Sequence, residues 1–514
     1  MSVGPSHVVA DQSSVFAFLT RGENYGCARP VTRIDTHGAV VFLAGENAYK
    51  VKRAVHFPFM DFSTLEARRA ACEAELAVNA PNAPGLYLRI VPITRSEAGF
   101  ALGGDGPAVE WAVHMRRFDE SCTLDRVAEG GLSSEVVAQL ARAVLAAHAK
   151  APRRDGAAAV ASLAGYIAEN RVAFLESPEV FPVERVARLT AHAARALDAV
   201  EPLLLHRGEA GYVRRCHGDL HLRNIVLLET GPTLFDAIEF DDAIATGDVL
   251  YDLAFLLMDL WERGLKAEAS RIFNCYLWES DEANLSGLAA LPLFLSLRAA
   301  IRAKVGAANL PNLAGAARET ARAEVRSYFG FAERFLEPAG PRLVAVGGLS
   351  GTGKSTLAAA VAPGLRPAPG AVHLRSDIVR KRIMQVGETA RLPPEGYATA
   401  VTHDVYAALR RQTALALGAG YSVVVDAVHA EPAERAGLET VARQCGVTFQ
   451  GFWLEAPLST LLERVERRSG DASDADAAVV AAQAGHDLGI IAWQRLDAAK
   501  ADLRAPQDRD RGEY

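Results

Sequence analysis

Lysine is scarce in this chain of 514 residues: of 55 basic side chains only eight are lysine, at positions 50, 52, 150, 266, 304, 354, 381 and 500. A lysine found where chemistry wants a compact ammonium is therefore more informative here than usual. The six cysteines, Cys27, Cys72, Cys122, Cys216, Cys275 and Cys445, form no CxxC pair. That leaves no disulfide framework and no cysteine-built zinc site to expect. No dense basic patch is present and the formal net charge is −7, so nucleic acid is not an expected partner. Apolar runs stay short, as at 253–258, well below the ~20 residues that cross a bilayer. Residues 1–12 lack the basic-then-apolar order of a signal peptide. The expectation is a cytoplasmic protein without a membrane partner. No internal repeat is visible, and oligomeric state is not written in the sequence. What is there is the composition of a soluble globular protein, 50% hydrophobic and 23% charged. At ~150 residues per domain, its length calls for roughly two to four domains.

Residues 30–120 read as β-rich, with strands near 39–43, 48–51, 87–93 and 109–115 and a helix over 64–79 between them. Residues 133–205 carry helical spacing. A strand–turn–strand unit follows at 225–228 and 233–240, then helices to about 335. Glu337-Pro-Ala-Gly-Pro341 is rich in breakers and marks the expected domain border, with domains at 1–336 and 342–500. Beyond it strands and helices alternate: strands at 343–346, 372–374, 422–425 and 448–454, helices at 356–361, 431–445 and 458–468. Such alternation predicts an α/β doubly wound parallel sheet. The charged last fifteen or so residues read as a frayed tail.

Gly348-Leu-Ser350-Gly351-Thr352-Gly353-Lys354-Ser355 fits GxxxxGK(S/T), after an apolar strand and before a helical stretch that opens with Thr356. Glycines let backbone N–H groups turn toward phosphates, and the helix N-terminus adds partial positive charge. Lys354 suits the β/γ-phosphates of ATP and Ser355 suits Mg²⁺. Asp377 closes the next strand, where a carboxylate can accept a hydroxyl proton. It also reads as a helix cap together with Ser376. Arg380 shares its helix face. Asp426 ends an apolar strand, the place of a magnesium-orienting acid. Arg464 and Arg468 stand four apart on one helix and can clamp a transferring phosphate, or pair in solvent with Glu463 and Glu466. Together these residues resemble the small P-loop kinases that include gluconate kinase, polynucleotide kinase, chloramphenicol phosphotransferase and zeta toxins, over about 342–483. The resemblance implies Asp377 as base and Arg464 and Arg468 as lid arginines. The segment Asp471-Ala-Ser-Asp-Ala475 looks like one found in bacterial members.

In the first half, His217-Gly-Asp219-Leu-His221-Leu-Arg-Asn224 places an acid and an amide five apart before a strand. That is the layout of a kinase catalytic loop, with Asp219 taking the hydroxyl proton and Asn224 holding Mg²⁺. Zinc ligation by His217 and His221 lacks a third ligand at suitable spacing. Ile238-Glu239-Phe240, Gly247-Asp248 and Tyr251-Asp252-Leu-Ala254 follow in order. The series resembles the aminoglycoside phosphotransferase family over roughly 30–330, which implies an α+β, two-lobed, protein-kinase-like fold. It implies Asp219 as base, Asn224 and Glu239 as magnesium ligands, and Asp248 and Asp252 as supports of the loop. Glu239 departs from the family's aspartate by one methylene. Asp236, at odd offset, is expected on the other strand face. Ala48-Tyr-Lys50 resembles the lysine strand of that fold. Lys50 or Lys52 would meet the nucleotide phosphates, with Glu75, or secondly Glu73, as partner. The turn 34–38 is the expected phosphate loop, and 115–118, opening with Met115, the hinge to adenine.

The sequence thus predicts a bifunctional ATP- and Mg²⁺-dependent phosphotransferase, each half acting on a small-molecule hydroxyl acceptor. The alternative is a P-loop kinase, toxin-like in its chemistry, regulated by a catalytically weak, nucleotide-binding first half that resembles aminoglycoside phosphotransferases.

Overall fold

Ala39–Ala44 is apolar at every position and pairs with Asn47–Lys52, so this part of the sheet is buried on both faces. The computed structural model describes residues 7–26, 29–57, 60–97, 99–467 and 471–499. Six strands form one antiparallel sheet in the spatial order Thr32–Asp35, Ala39–Ala44, Asn47–Lys52, Ala108–Arg116, Tyr87–Ser96, Gly99–Leu102. Val40, Phe42, Val51, Ile93 and Ala112 point to one face and are covered by Phe16 and Leu19. Leu43, Ala48, Val113 and Met115 point to the other and meet Cys72 of helix Leu65–Asn79. Thr64 caps that helix through the Ala67 N–H at 3.1 Å.

Downstream, Ile225–Leu228 and Gly231–Leu234 form a hairpin. The second strand ends six residues before the expected limit of 240. Asp236 adopts a φ of 60°, which an extended chain cannot continue through.

The parallel sheet holds five strands in the order Val372–Arg375, Val423–Asp426, Arg342–Gly348, Thr448–Glu455, Gln494–Asp497, all parallel. Its central strands are apolar between Arg342 at the start of one and Asp426 at the end of the other, as burial on both faces demands. Val344, Val346, Val424, Phe452 and Leu454 pack against Leu357 and Ala358 of helix Lys354–Val361. The strand at 494–497 and the long helix Thr399–Gly418 were not legible as elements: four residues are too few for a pattern, and the helix is buried along much of its length.

By packing, the chain divides into two units, Met1–Ser162 with Arg207–Leu256 and Leu163–His206 with Leu257–Tyr514. Helices on the N-terminal side of residue 337, among them Lys266–Glu279, thus share a unit with the parallel sheet. Among the described residues, one helical stretch, 283–312, is long and apolar enough to cross a membrane; 78% of its apolar window is buried inside the fold.

Candidate active sites

In the first unit the strand Asn47–Lys52 sends Lys50 and Lys52 toward helix Leu65–Asn79. Glu75, fully buried, bridges them: Oε1 lies 2.8 Å from Lys50 Nζ and Oε2 2.6 Å from Lys52 Nζ. The two-residue spacing puts both ammoniums on one strand face. Either lysine was expected to serve, and both take the partner. Glu73 instead pairs with Arg69 on the exposed side.

Two more carboxylates close the cluster. Asp236 Oδ1 is 2.5 Å from Lys50 Nζ, and Glu239 is ion-paired with Lys52. The expectation that Asp236 faces away is corrected: it assumed an extended strand, and the left-handed residue turns the side chain to Lys50. The two acids differ in access. Asp236 is 42% exposed and Glu239 only 7%. Burial opposes the Lys50 charge, but Asp236, Glu75 and Glu239 outweigh it and hold its pKa well above the ordinary value. Burial raises the Glu239 carboxyl despite Lys52. Met115 packs in the core beside Ala48 and Val113, and the turn 34–38 is closed by Thr36 Oγ1 and the Ala39 N–H at 3.0 Å.

The loop 216–224 is held from below. Asp252 Oδ1 accepts the Gly218 N–H at 2.8 Å, and its Oδ2 lies 3.1 Å from His148 Nε2. Asp248 takes a two-pronged pair from buried Arg207, at 2.7 and 2.9 Å. So supported, Asp219 stays 39% exposed. Asn224 Nδ2 donates to Asp219 Oδ2 at 3.0 Å, so its amide nitrogen, not its oxygen, makes this bond. Among the described residues one trio, His148, Cys216 and Asp252, brings metal-type ligand atoms within 4.8 Å of one another. Asp252 is committed there to the loop backbone.

In the second unit Gly348, Gly351 and Gly353 have φ of 136°, 85° and 90°. A Cβ at Gly351 would sit 2.8 Å from Leu461 O, and one at Gly348 2.5 Å from Leu454 O, so glycine is required twice over. Lys354 Nζ donates to Leu349 O at 3.0 Å, and Thr352 Oγ1 to the same carbonyl at 2.8 Å. The Ser350 N–H donates to Gln483 Oε1 at 2.9 Å. Ser355 Oγ lies 3.2 Å from Arg375 Nη2. Thr356 follows in the first turn of the helix.

Asp426 is buried between His373 Nε2 at 3.5 Å and Arg375 Nε at 3.6 Å. Burial opposes its charge, but His373, Arg375 and Lys354 hold its pKa well below the carboxylate range. Asp377 behaves oppositely. Burial raises its pKa, Asp426 adds to the rise, and Arg375, Lys354 and a Ser473 hydrogen bond oppose it. The expected capping by Ser376 and Asp377 is corrected: Arg375 occupies the N-cap position of helix Ser376–Ile383, and Asp377 lies in its first turn. Buried Arg380 donates to Gly396 O at 2.8 Å.

Arg464 is turned away from solvent pairing: Nη2 donates to Ala498 O at 3.0 Å and Nη1 lies 3.5 Å from Gly351 O. Arg468 lies outside the described residues. The segment after it is tied down by charge, Asp471 to Arg375 at 2.7 Å and Asp474 to Lys381 at 3.1 Å. Sequence reasoning missed Arg375 and His429. His429 is fully buried, neither ring nitrogen has a hydrogen-bond partner, and burial lowers its pKa to about 3. The only signal was position, since His373 and Arg375 lie on the strand just before Asp377 and His429 follows Asp426.

Comparison with known proteins locates two matched segments. Residues 92–286 match the phosphotransferase enzyme family, and residues 343–486 match an AAA domain. The uncharacterized protein Rv2004c of Mycobacterium tuberculosis (strain ATCC 25618 / H37Rv) is 30% identical over 488 residues, 93% of each chain. The uncharacterized protein Mb2027c of Mycobacterium bovis matches to the same extent, 30% over 93% of each. Among solved structures, a choline/ethanolamine kinase family protein from Mesorhizobium loti aligns with 61% of this chain and 90% of its own, at 13% identity and a TM-score of 0.37. The Mycobacterium tuberculosis APS kinase aligns with 25% of this chain and 71% of its own, at 24% identity and a TM-score of 0.21.

Proposed function

The chain belongs to one family with the mycobacterial protein Rv2004c, joining a phosphotransferase segment to a P-loop kinase-like one, and on that premise we propose that it is a two-site ATP-dependent phosphotransferase. Each half passes the γ-phosphoryl of ATP to a hydroxyl of a small molecule. The observation that carries the reading is that each half sets a lysine among carboxylates beside a loop bearing an accessible or proton-ready acid. In the first half these are Lys50, Glu75 and Asp236 with Asp219. In the second they are Lys354 and Asp426 with Asp377.

Magnesium suits both donor sets, since all are hard oxygens. In the first half we assign it to Asn224 and Asp236 rather than Glu239, because Glu239 is buried and neutralised by Lys52. In the second it would be held by Ser355 and Asp426. When bound, the ion would neutralise phosphate charge. The chain's own groups do the rest. Lys50 and Lys354 hold the phosphates. Asp219 and Asp377 accept the acceptor's hydroxyl proton, and the raised pKa of Asp377 brings it nearer the working pH of a base. Arg464, beside the P-loop, adds positive charge at the transferring group. In this reading the protein acts in the cytoplasm, where cysteines are kept as thiols.

One observation favours a second reading, in which the first half binds nucleotide as a regulator: its lysines are fully engaged by three carboxylates. Transfer of labelled γ-phosphate into a bacterial small-molecule extract decides between them. Two products, one lost in Lys354→Ala and the other in Asp219→Asn, are expected. A single product lost only in Lys354→Ala would leave the regulator.

A further inference from the structure

Among the described residues, the edge strand Val372–Arg375 of the parallel sheet pairs with a strand on one side only. Its other side is met by helix Lys266–Glu279. Asn274 Nδ2 donates to Ala371 O at 3.1 Å, and Asn274 Oδ1 accepts the His373 N–H at 2.7 Å. One turn later Trp278 Nε1–H donates to His373 O at 2.6 Å. Two side chains on one helix face thus make the bonds that a sixth strand would make.

The same tryptophan touches what the strand carries. Its ring centroid lies 5.7 Å from the Arg375 guanidinium carbon and 5.6 Å from the His373 ring, edge to face. Arg375 in turn reaches Ser355 Oγ at 3.2 Å and Asp426 at 3.6 Å, and His373 lies 3.5 Å from Asp426. The helix belongs to the span matched by the phosphotransferase family, whereas the strand belongs to the span matched by the AAA domain.

We propose that Trp278, seconded by Asn274, is a positioning residue of the P-loop site: it fixes His373 and Arg375, and through them the Ser355–Asp426 pair that receives magnesium. The P-loop kinase of this chain is then not self-contained. Its metal site is trued by a helix supplied from the preceding family segment. This inference rests on the reading of Ser355 and Asp426 given above.

The test uses the full chain carrying Lys50→Ala, which silences the first nucleotide site. A fluorescent N-methylanthraniloyl ATP is titrated with magnesium and, separately, in EDTA. Trp278→Ala is expected to raise the magnesium concentration for half-maximal binding by about tenfold, the loss of one cation–π contact and one hydrogen bond. Affinity in EDTA should not change. Trp278→Phe keeps a ring under Arg375 but drops the bond to His373 O, and should recover part of the shift. It also stands in should the alanine variant fail to fold. An unchanged magnesium requirement in the folded variants would overturn the proposal. So would an equal loss of affinity with and without magnesium, the mark of a loosened fold. Separately, nucleotide binding that survives added Lys354→Ala would overturn the P-loop reading itself.

Discussion

At the scale of single residues, access separates groups that the sequence makes look alike. Asp236 and Glu239 stand three apart and both meet a lysine, yet only Asp236 opens to solvent. Asp236→Asn is expected to lower phosphotransfer by the first site at least about a hundredfold, and Glu239→Gln by less than about tenfold, in initial rates at saturating ATP. The reverse order would return the metal to Glu239. Asp377 makes a pH prediction. Its pKa is raised above the ordinary 3.8, and a base works only when deprotonated. The acid limb of kcat/KM for the second site should therefore lie above 3.8, and Asp377→Asn should cost about 10²–10⁴ in rate. The lysines and glycines were legible because they sit in motifs, Asp377 because it lies just past a strand end, and Glu75 because it lies on the helix after the lysine strand. Asp236 was not, because a single left-handed residue defeats the alternation rule. Arg375 was not, because its partners Ser355, Asp426 and Asp471 are distant in sequence, and His429 was not, because no motif surrounds it.

At the scale of elements, loops are held by acids buried beneath them. Arg207 and Asp248 are 2% and 5% exposed and share two hydrogen bonds, and Asp248 also takes the Leu250 N–H at 2.9 Å at the start of helix Val249–Glu262. Arg207→Met strands a buried carboxylate, which costs about 3–5 kcal/mol. A fall in Tm of about 6 °C or more, read by calorimetry, is expected; a change of a degree would show the pair to be dispensable. Most of the elements that were given bounds from apolar spacing agree with the structure within a residue or two. Those that escaped were short, such as Gln494–Asp497, or blurred in pattern, such as Thr399–Gly418, whose buried face holds Gln412 and Thr413 and whose exposed face holds Leu415.

At the scale of the whole molecule, each unit contains a carboxylate held ionised against burial, Glu75 in one and Asp426 in the other. A depressed folded-state pKa stabilises above the unfolded value and is lost as pH falls below it. Both units should weaken below about pH 4 as these two groups protonate. Asp377 and Glu239, raised by burial, act in the opposite sense, gaining stability as they protonate on the way down. The urea midpoint of the wild type should fall between pH 5 and about pH 3, and Asp426→Asn should fall less. Equal slopes would deny Asp426 that part.

The side chains that complete the edge of the parallel sheet also keep it from other chains. Removing residues 1–339 would take away Asn274 and Trp278 and bare the outer backbone of Val372–Arg375, with apolar Val372 and Leu374 on it. An open strand edge is a template for its own kind. The fragment 340–514 should sediment as self-associated species, so the join between the two family segments doubles as a guard against aggregation.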